Sequence, residues 1–85
     1  MAFRELEREL LKATRRAKRE GMPEWALELL AFKHKRATKF FNEARRLPKD
    51  YPDRRSMLSS RYCRAHDELQ SGIDLAVFFL GWRPA

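Results

Sequence analysis

Eighty-five residues carry 19 Lys and Arg against 12 Asp and Glu, a formal net charge of +7, and the sequence pI is near 10.2. Such a chain makes one domain and buries roughly 60% of the surface its unfolded form exposes, room for a modest core but hardly for an elaborate enzyme pocket. The 44% hydrophobic fraction and the single cysteine exclude a disordered chain and an internal disulfide framework, and the cysteine usage fits a reducing, intracellular compartment.

Glycine and proline punctuate the chain at three places: Gly21 with Pro23, Pro48 with Pro52, and Gly81 with Pro84. The stretches between them are rich in Leu, Ala, Glu, Lys and Arg, all good helix formers. They predict helices over about 3–20, 23–47 and 52–80. Gly21 suits the position just past a helix end, and Pro23 the first turn of the next. Pro52 followed by Asp53 repeats the start signal, and Gly81 marks the last stop. Gly72, inside the third helix, costs about 1 kcal/mol against alanine and marks a close helix approach or a weak spot.

Apolar residues recur at the helical period in all three segments. The first carries Phe3, Leu6, Leu10, Ala13 and Ala17. The second carries Ala26, Leu30, Ala37, Phe41 and Ala44, widened by Leu29, Phe40 and Leu47. The third carries Leu58, Tyr62, Ala65, Leu69, Ile73, Ala76 and Leu80. No window alternates as a strand does. Short connections make neighbours antiparallel, so the fold class is all-α, an up-down-up three-helix bundle in a single domain. At 1.5 Å per residue the third helix reaches about 43 Å and the first about 27 Å, so part of the longer helices lacks cover from the first. The longest apolar run, Leu75 to Leu80, falls far short of the roughly 20 residues of a membrane span, and MAFRELEREL has no secretory apolar core.

Two surfaces are left over. The first is apolar: Leu75, Phe78, Phe79 and Trp82 fall off the third stripe and face Trp25, Leu29 and Phe32 at the start of the second helix. A patch of this kind closes a small aromatic core or serves an interface. The interface set is Trp25, Phe32, Leu75, Phe78, Phe79 and Trp82, and a homodimer through it would duplicate the basic surface. The second surface is basic. Residues 1–11 sum to −1, residues 12–64 to +10 and residues 65–85 to −2. Lys12, Arg15, Arg16 and Arg19 lie opposite the first stripe, and Lys35, Lys39, Asn42 and Arg46 opposite the second. Arg54, Arg55, Arg61 and Arg64 follow on the third helix. Such stripes are the electrostatic footprint of phosphate binding, or a solvated face that keeps the protein soluble. Thirteen of the 19 basic residues are Arg, whose planar fork suits phosphate and carboxylate.

Catalytic chemistry finds little support. Cys63, His66 and Asp67 with His34 lack the spacing of a zinc site. By phase His34 flanks the core while Cys63 points outward. There is no glycine-rich phosphate loop, no HExxH and no carboxylate pair. Glu43, Asp67 and Glu68 read as partners of nearby Arg and Lys. The expected protein is non-enzymatic and takes no cofactor and no metal. Its expected partner is nucleic acid, bound through phosphates by Lys12, Arg15, Arg16, Arg19, Lys35, Lys39, Arg46 and Arg61 with Asn42 hydrogen-bonding among them. The rival is an adaptor or inhibitor docking on an acidic protein, such as the small helical proteins of phages and viruses that bind host factors.

The first helix reads Leu6-Glu7-Arg8-Glu9-Leu10-Leu11-Lys12. It resembles the opening of the LYR-motif family of small basic three-helix mitochondrial adaptors, L-Y-R-x-L-L-K/R. Leu6, Arg8, Leu10, Leu11 and Lys12 match, and Glu7 stands at the tyrosine position. Tyr62, Arg64, Leu69 and Gln70 look loosely like that family's third helix. The resemblance implies a basic face docking an acidic acyl-carrier protein, with an acyl chain entering among the aromatic residues.

Overall fold

The computed structural model describes the backbone from residue 2 to residue 82 and side chains to residue 81. The Trp82 side chain, Arg83 and Pro84 therefore lie outside the described residues. Three helices follow in order: α1 (Phe3–Arg19), α2 (Glu24–Arg45) and α3 (Arg54–Trp82). The chain is an all-α three-helix bundle, with no strand among the described residues.

The first connection is tight for a local reason. Gly21 takes φ +91°, a conformation that glycine alone adopts without cost. Its N–H donates to the Lys18 carbonyl at 3.1 Å, and the Met22 N–H donates to the Ala17 carbonyl at 2.9 Å. This 5→2 and 6→1 pair caps the end of α1 and folds Met22 back into the core. Met22 is buried, although the helical stripes do not include it. Pro23 sits one residue earlier than expected: it is the residue before the helix, its carbonyl accepting from Ala26 and Leu27. The second connection is two successive turns, Tyr51 N–H to the Pro48 carbonyl and Arg54 N–H to the Tyr51 carbonyl. Asp53 there takes φ 55°, tolerated because Asp visits the left-handed region more readily than most residues. Gly81 does not end α3, which runs on to Trp82.

The helices differ in length as expected: 17 residues in α1, 22 in α2 and 29 in α3. α3 is the central element, packed against both others. Phe3 meets His66, and Leu10 rests on Gly72. Ile73, Val77 and Leu80 face the second half of α1. α1 thus covers the second half of α3. The first turns of α3 have only the end of α2 beside them, and the two form an uncovered arm. The molecule extends 55 × 21 × 15 Å with a radius of gyration of 14.9 Å, against about 12 Å for a compact chain of this length.

The core is narrow. Leu10, Leu30 and Leu69 are the largest fully buried side chains, and Ala17, Ala26, Ala37, Ala44, Ala65 and Ala76 are buried along with Phe3 and Leu6. Phe3 stacks on Phe41 with centroids 4.1 Å apart. Of the expected core, Leu29 is exposed, while Leu58, Tyr62, Ile73 and Leu80 are half-buried. Gly72 marks a close approach. A Cβ there would stand 2.8 Å from Leu10 Cδ1, and Leu10, only 1% exposed, has nowhere to swing.

Gly72→Ala therefore sets a helix-propensity gain of about 1 kcal/mol against an overpacking cost of about 1–3 kcal/mol. Alone it should lower stability by about 1 kcal/mol in urea melts. In a Leu10→Val background, which removes both δ carbons, the same substitution should become stabilising. Equal effects in both backgrounds would show that Leu10 is not the obstacle.

Candidate polyanion interface

The three helices present three outer faces, and helical phase assigns the exposed side chains to them. Arg8, Arg15 and Lys18 from α1 and Lys35, Lys39, Arg45 and Arg46 from α2 are all exposed, and by phase Lys35, Lys39 and Arg46 lie on the outer edge of α2, opposite its buried stripe. Asn42 stands among them, half-buried. None of these cations makes an ion pair with a described residue.

The ion pairs lie elsewhere. Arg61 Nε reaches Glu43 at 3.2 Å, and Arg36 Nε reaches Glu68 at 3.8 Å, both across the α2–α3 seam. Arg4 binds Glu7 at 2.9 Å, and Lys12 stands 3.9 Å from Glu9. Glu43 and Glu68 pair with Arg as the sequence suggested, but between helices and not along one. Two members of the expected phosphate-binding set are thus paired, Lys12 along α1 and Arg61 between helices. Glu43 holds Arg61 half-buried, so it is a bridge between α2 and α3 and not a free contact.

The expected set on α1 divides between two faces. Lys12, Arg16 and Arg19 turn toward α3 and, with Arg15 and Lys18 at the rim, line an open groove of about 710 Å³. Its floor is apolar: Ala13, Ile73, Val77 and Leu80. Glu9 also lines it. Period and charge give no hint of this groove, because a stripe shows which residues face the core and not which neighbouring helix the flanking ones meet.

The α2–α3 face holds the aromatic residues. Trp25 is 69% exposed, Phe78 68% and Phe32 53%. Leu75 and Phe79, of the expected interface set, are half-buried and pack against the core, and the Trp82 side chain is outside the described residues. Farther along this face Arg36 lies over the Phe32 and Phe40 rings at 5.8 and 5.6 Å, and Arg64 over Phe40 at 5.7 Å. These cation–π contacts and the Glu68 pair occupy Arg36.

The histidines are structural. His34 Nε2 donates to Glu7 Oε2 at 2.8 Å, tying α2 to α1, and His66 Nδ1 donates to the Tyr62 carbonyl at 2.7 Å. Cys63 is exposed. Among the described residues no three His, Cys, Asp or Glu side chains gather around one point, and no described helix is long and apolar enough to cross a membrane. No family model, no characterised protein and no solved structure matches the chain.

Of the ion-paired carboxylates Glu7 is the most buried, with 17% of its side chain exposed. Burial pushes its pKa up, but the hydrogen bonds from His34 and Arg4 and their charges outweigh burial and hold it below the ordinary range. A carboxyl depressed in the folded state stabilises the fold above its unfolded pKa, about 4.3, and that contribution is lost as pH falls through the folded value. Glu7→Gln should therefore cost about 1–2 kcal/mol at neutral pH, the scale of a charge-assisted hydrogen bond. It should cost close to nothing near pH 3. Urea melts across this range check it, and a penalty independent of pH would refute the depressed carboxyl.

Proposed function

We propose that the protein binds nucleic acid through its phosphate backbone, on the outer edge of α2 and the exposed cations of α1 beside it. One observation carries the reading. The ion pairs neutralise Arg4, Arg36 and Arg61, but spare Lys35, Lys39 and Arg46, which stand exposed on a single edge of α2. Arg8 and Arg15 flank that edge from α1. From Lys35 to Arg46 the edge runs about 16 Å along the helix axis. Duplex DNA offers one phosphate charge per roughly 1.7 Å, so an edge this long meets several at once.

The arm adds to the same charge. The first turn of α3 holds Arg54 and Arg55 and no acidic residue. Cations at a helix N-terminus oppose the helix dipole, and a phosphate nearby relieves that opposition. No side chain on this surface has the arrangement of a base-reading motif, so recognition is by backbone and shape. In this reading the protein acts as a binding module.

Fluorescence anisotropy with labelled duplex RNA, duplex DNA and single strand, each at two salt concentrations, tests this. Affinity should fall steeply with salt, and Lys35→Ala, Lys39→Ala and Arg46→Ala should each lower the salt slope by about 1. Arg61→Ala should leave the slope unchanged. No binding at low salt to any of the three probes overturns the proposal, and an acidic protein is then the anion this edge meets.

A further inference from the structure

The groove between α1 and α3 has a complement on the same molecule. Its lining holds Lys12, Arg15, Arg16, Lys18 and Arg19 against Glu9 alone, around a floor of Ala13, Ile73, Val77 and Leu80. Residues 65–82 are the reverse: Asp67, Glu68 and Asp74 with no Lys or Arg. Glu68 is turned to Arg36 on the α2 flank. Asp67 and Asp74 stand exposed on the outer edge of α3; Asp67 borders a hollow it shares with Arg36, Phe40, Arg64 and Glu68, but neither carboxylate makes an ion pair with a described cation. By helical phase Gln70 and Val77 lie on the α1 side of this edge and Phe78 on its α2 side. Val77 is 57% exposed.

From this charge complementarity we infer that the groove is occupied by α3 of a second copy, in a two-fold symmetric dimer. The spacing fits. Lys12 and Arg19 are seven residues apart on α1, and Asp67 and Asp74 are seven apart on α3. Each pair spans two turns, about 10 Å. α1 and α3 run parallel within one copy, and a two-fold axis sets α3 of the second copy antiparallel to both. Asp67 of one copy then reaches Arg19 of the other, and Asp74 reaches Lys12. Gln70 and Val77 of the two α3 helices meet at the seam, and Phe78 covers the groove beside Glu9 and Lys12. Each copy supplies both halves of the contact, as an isologous interface requires. Glu9 does not oppose this, because Lys12 stands 3.9 Å from it. Asp74 accepts from Gln70 at 2.9 Å and keeps its remaining acceptor sites.

Sedimentation velocity of the full chain at low ionic strength, without nucleic acid, tests the dimer. The wild type should sediment as a dimer that loosens as salt rises. Lys12→Glu with Arg19→Glu should be monomeric, and so should Asp67→Lys with Asp74→Lys, each with an unchanged helical circular dichroism spectrum. The variant carrying all four reversals should dimerise again, an outcome that a merely misfolded surface does not produce. A wild type that stays monomeric at high concentration overturns the inference. So does a dimer that survives either pair of reversals, or one lost on Trp25→Glu but not on the charge reversals, since that places the contact on the aromatic face. Lys35→Ala and Lys39→Ala should leave the dimer intact, so failure here and failure of nucleic-acid binding are read separately.

Discussion

The bundle depends on three leucines, one from each helix. Leu10, Leu30 and Leu69 are the largest side chains fully removed from water, and the rest of the interior is mostly alanine. A leucine buried from water contributes about 1.5–3 kcal/mol, and an alanine methyl a fraction of that. Alanine seams let helices approach closely but supply little driving force. The helices must therefore be long to hold together, and the result is a rod. Gly72 belongs to this constraint, since it makes the space into which Leu10 settles. The Phe3–Phe41 stack and the His34–Glu7 hydrogen bond hold the first half of α1 against α2.

A central helix in such a rod must be apolar on two flanks. Leu75 and Phe79 pack against the core on the α2 side, while Ile73, Val77 and Leu80 face α1. Helical period alone shows one stripe and treats residues off it as surplus. That is why Leu75 and Phe79 looked like part of an exposed interface. Phe78, between the two flanks, is where the phase argument held, at 68% exposed. The helix ends were legible within about two residues because they depend on local chemistry: Gly21 and the prolines stand where the chain turns. Met22 was not legible, because its burial follows from the cap hydrogen bonds that Gly21 permits and not from a period.

The charges divide in the same way. Lys35, Lys39 and Arg46 were placed correctly by phase, since a residue opposite the buried stripe has few neighbours to meet. Arg61 was not, because its partner Glu43 lies on another helix, 18 residues away in sequence. The Glu7–His34 pair spans 27 residues and was equally invisible. Pairing between helices decides which cations remain free, and a charge count by segment cannot show it. The +10 middle of the chain thus contains two kinds of basic residue. Some bind α2 to α3, and others stand unneutralised on the outer edge of α2.

The length mismatch separates the two surfaces in space. α1 reaches only as far as the second half of α3, so its groove lies at one end of the rod. The last turns of α2 and the first of α3 project past it at the other end, with Arg46, Arg54 and Arg55. In the dimer we infer, a two-fold axis near the middle of the groove sets the covered ends side by side and sends the two arms in opposite directions. The unneutralised edge from Lys35 to Arg46 stays outside that contact, because it lies on the outer edge of α2 while the groove is bounded by α1 and α3. Two such edges on one particle can engage a long polyanion at two places. The second contact is then intramolecular, and it strengthens binding without any new residue. The exposed acid pair Asp67 and Asp74 acquires a role in this arrangement. On a chain of net charge +7, two copies repel one another, and a local acid-to-base match is what allows the covered ends to meet.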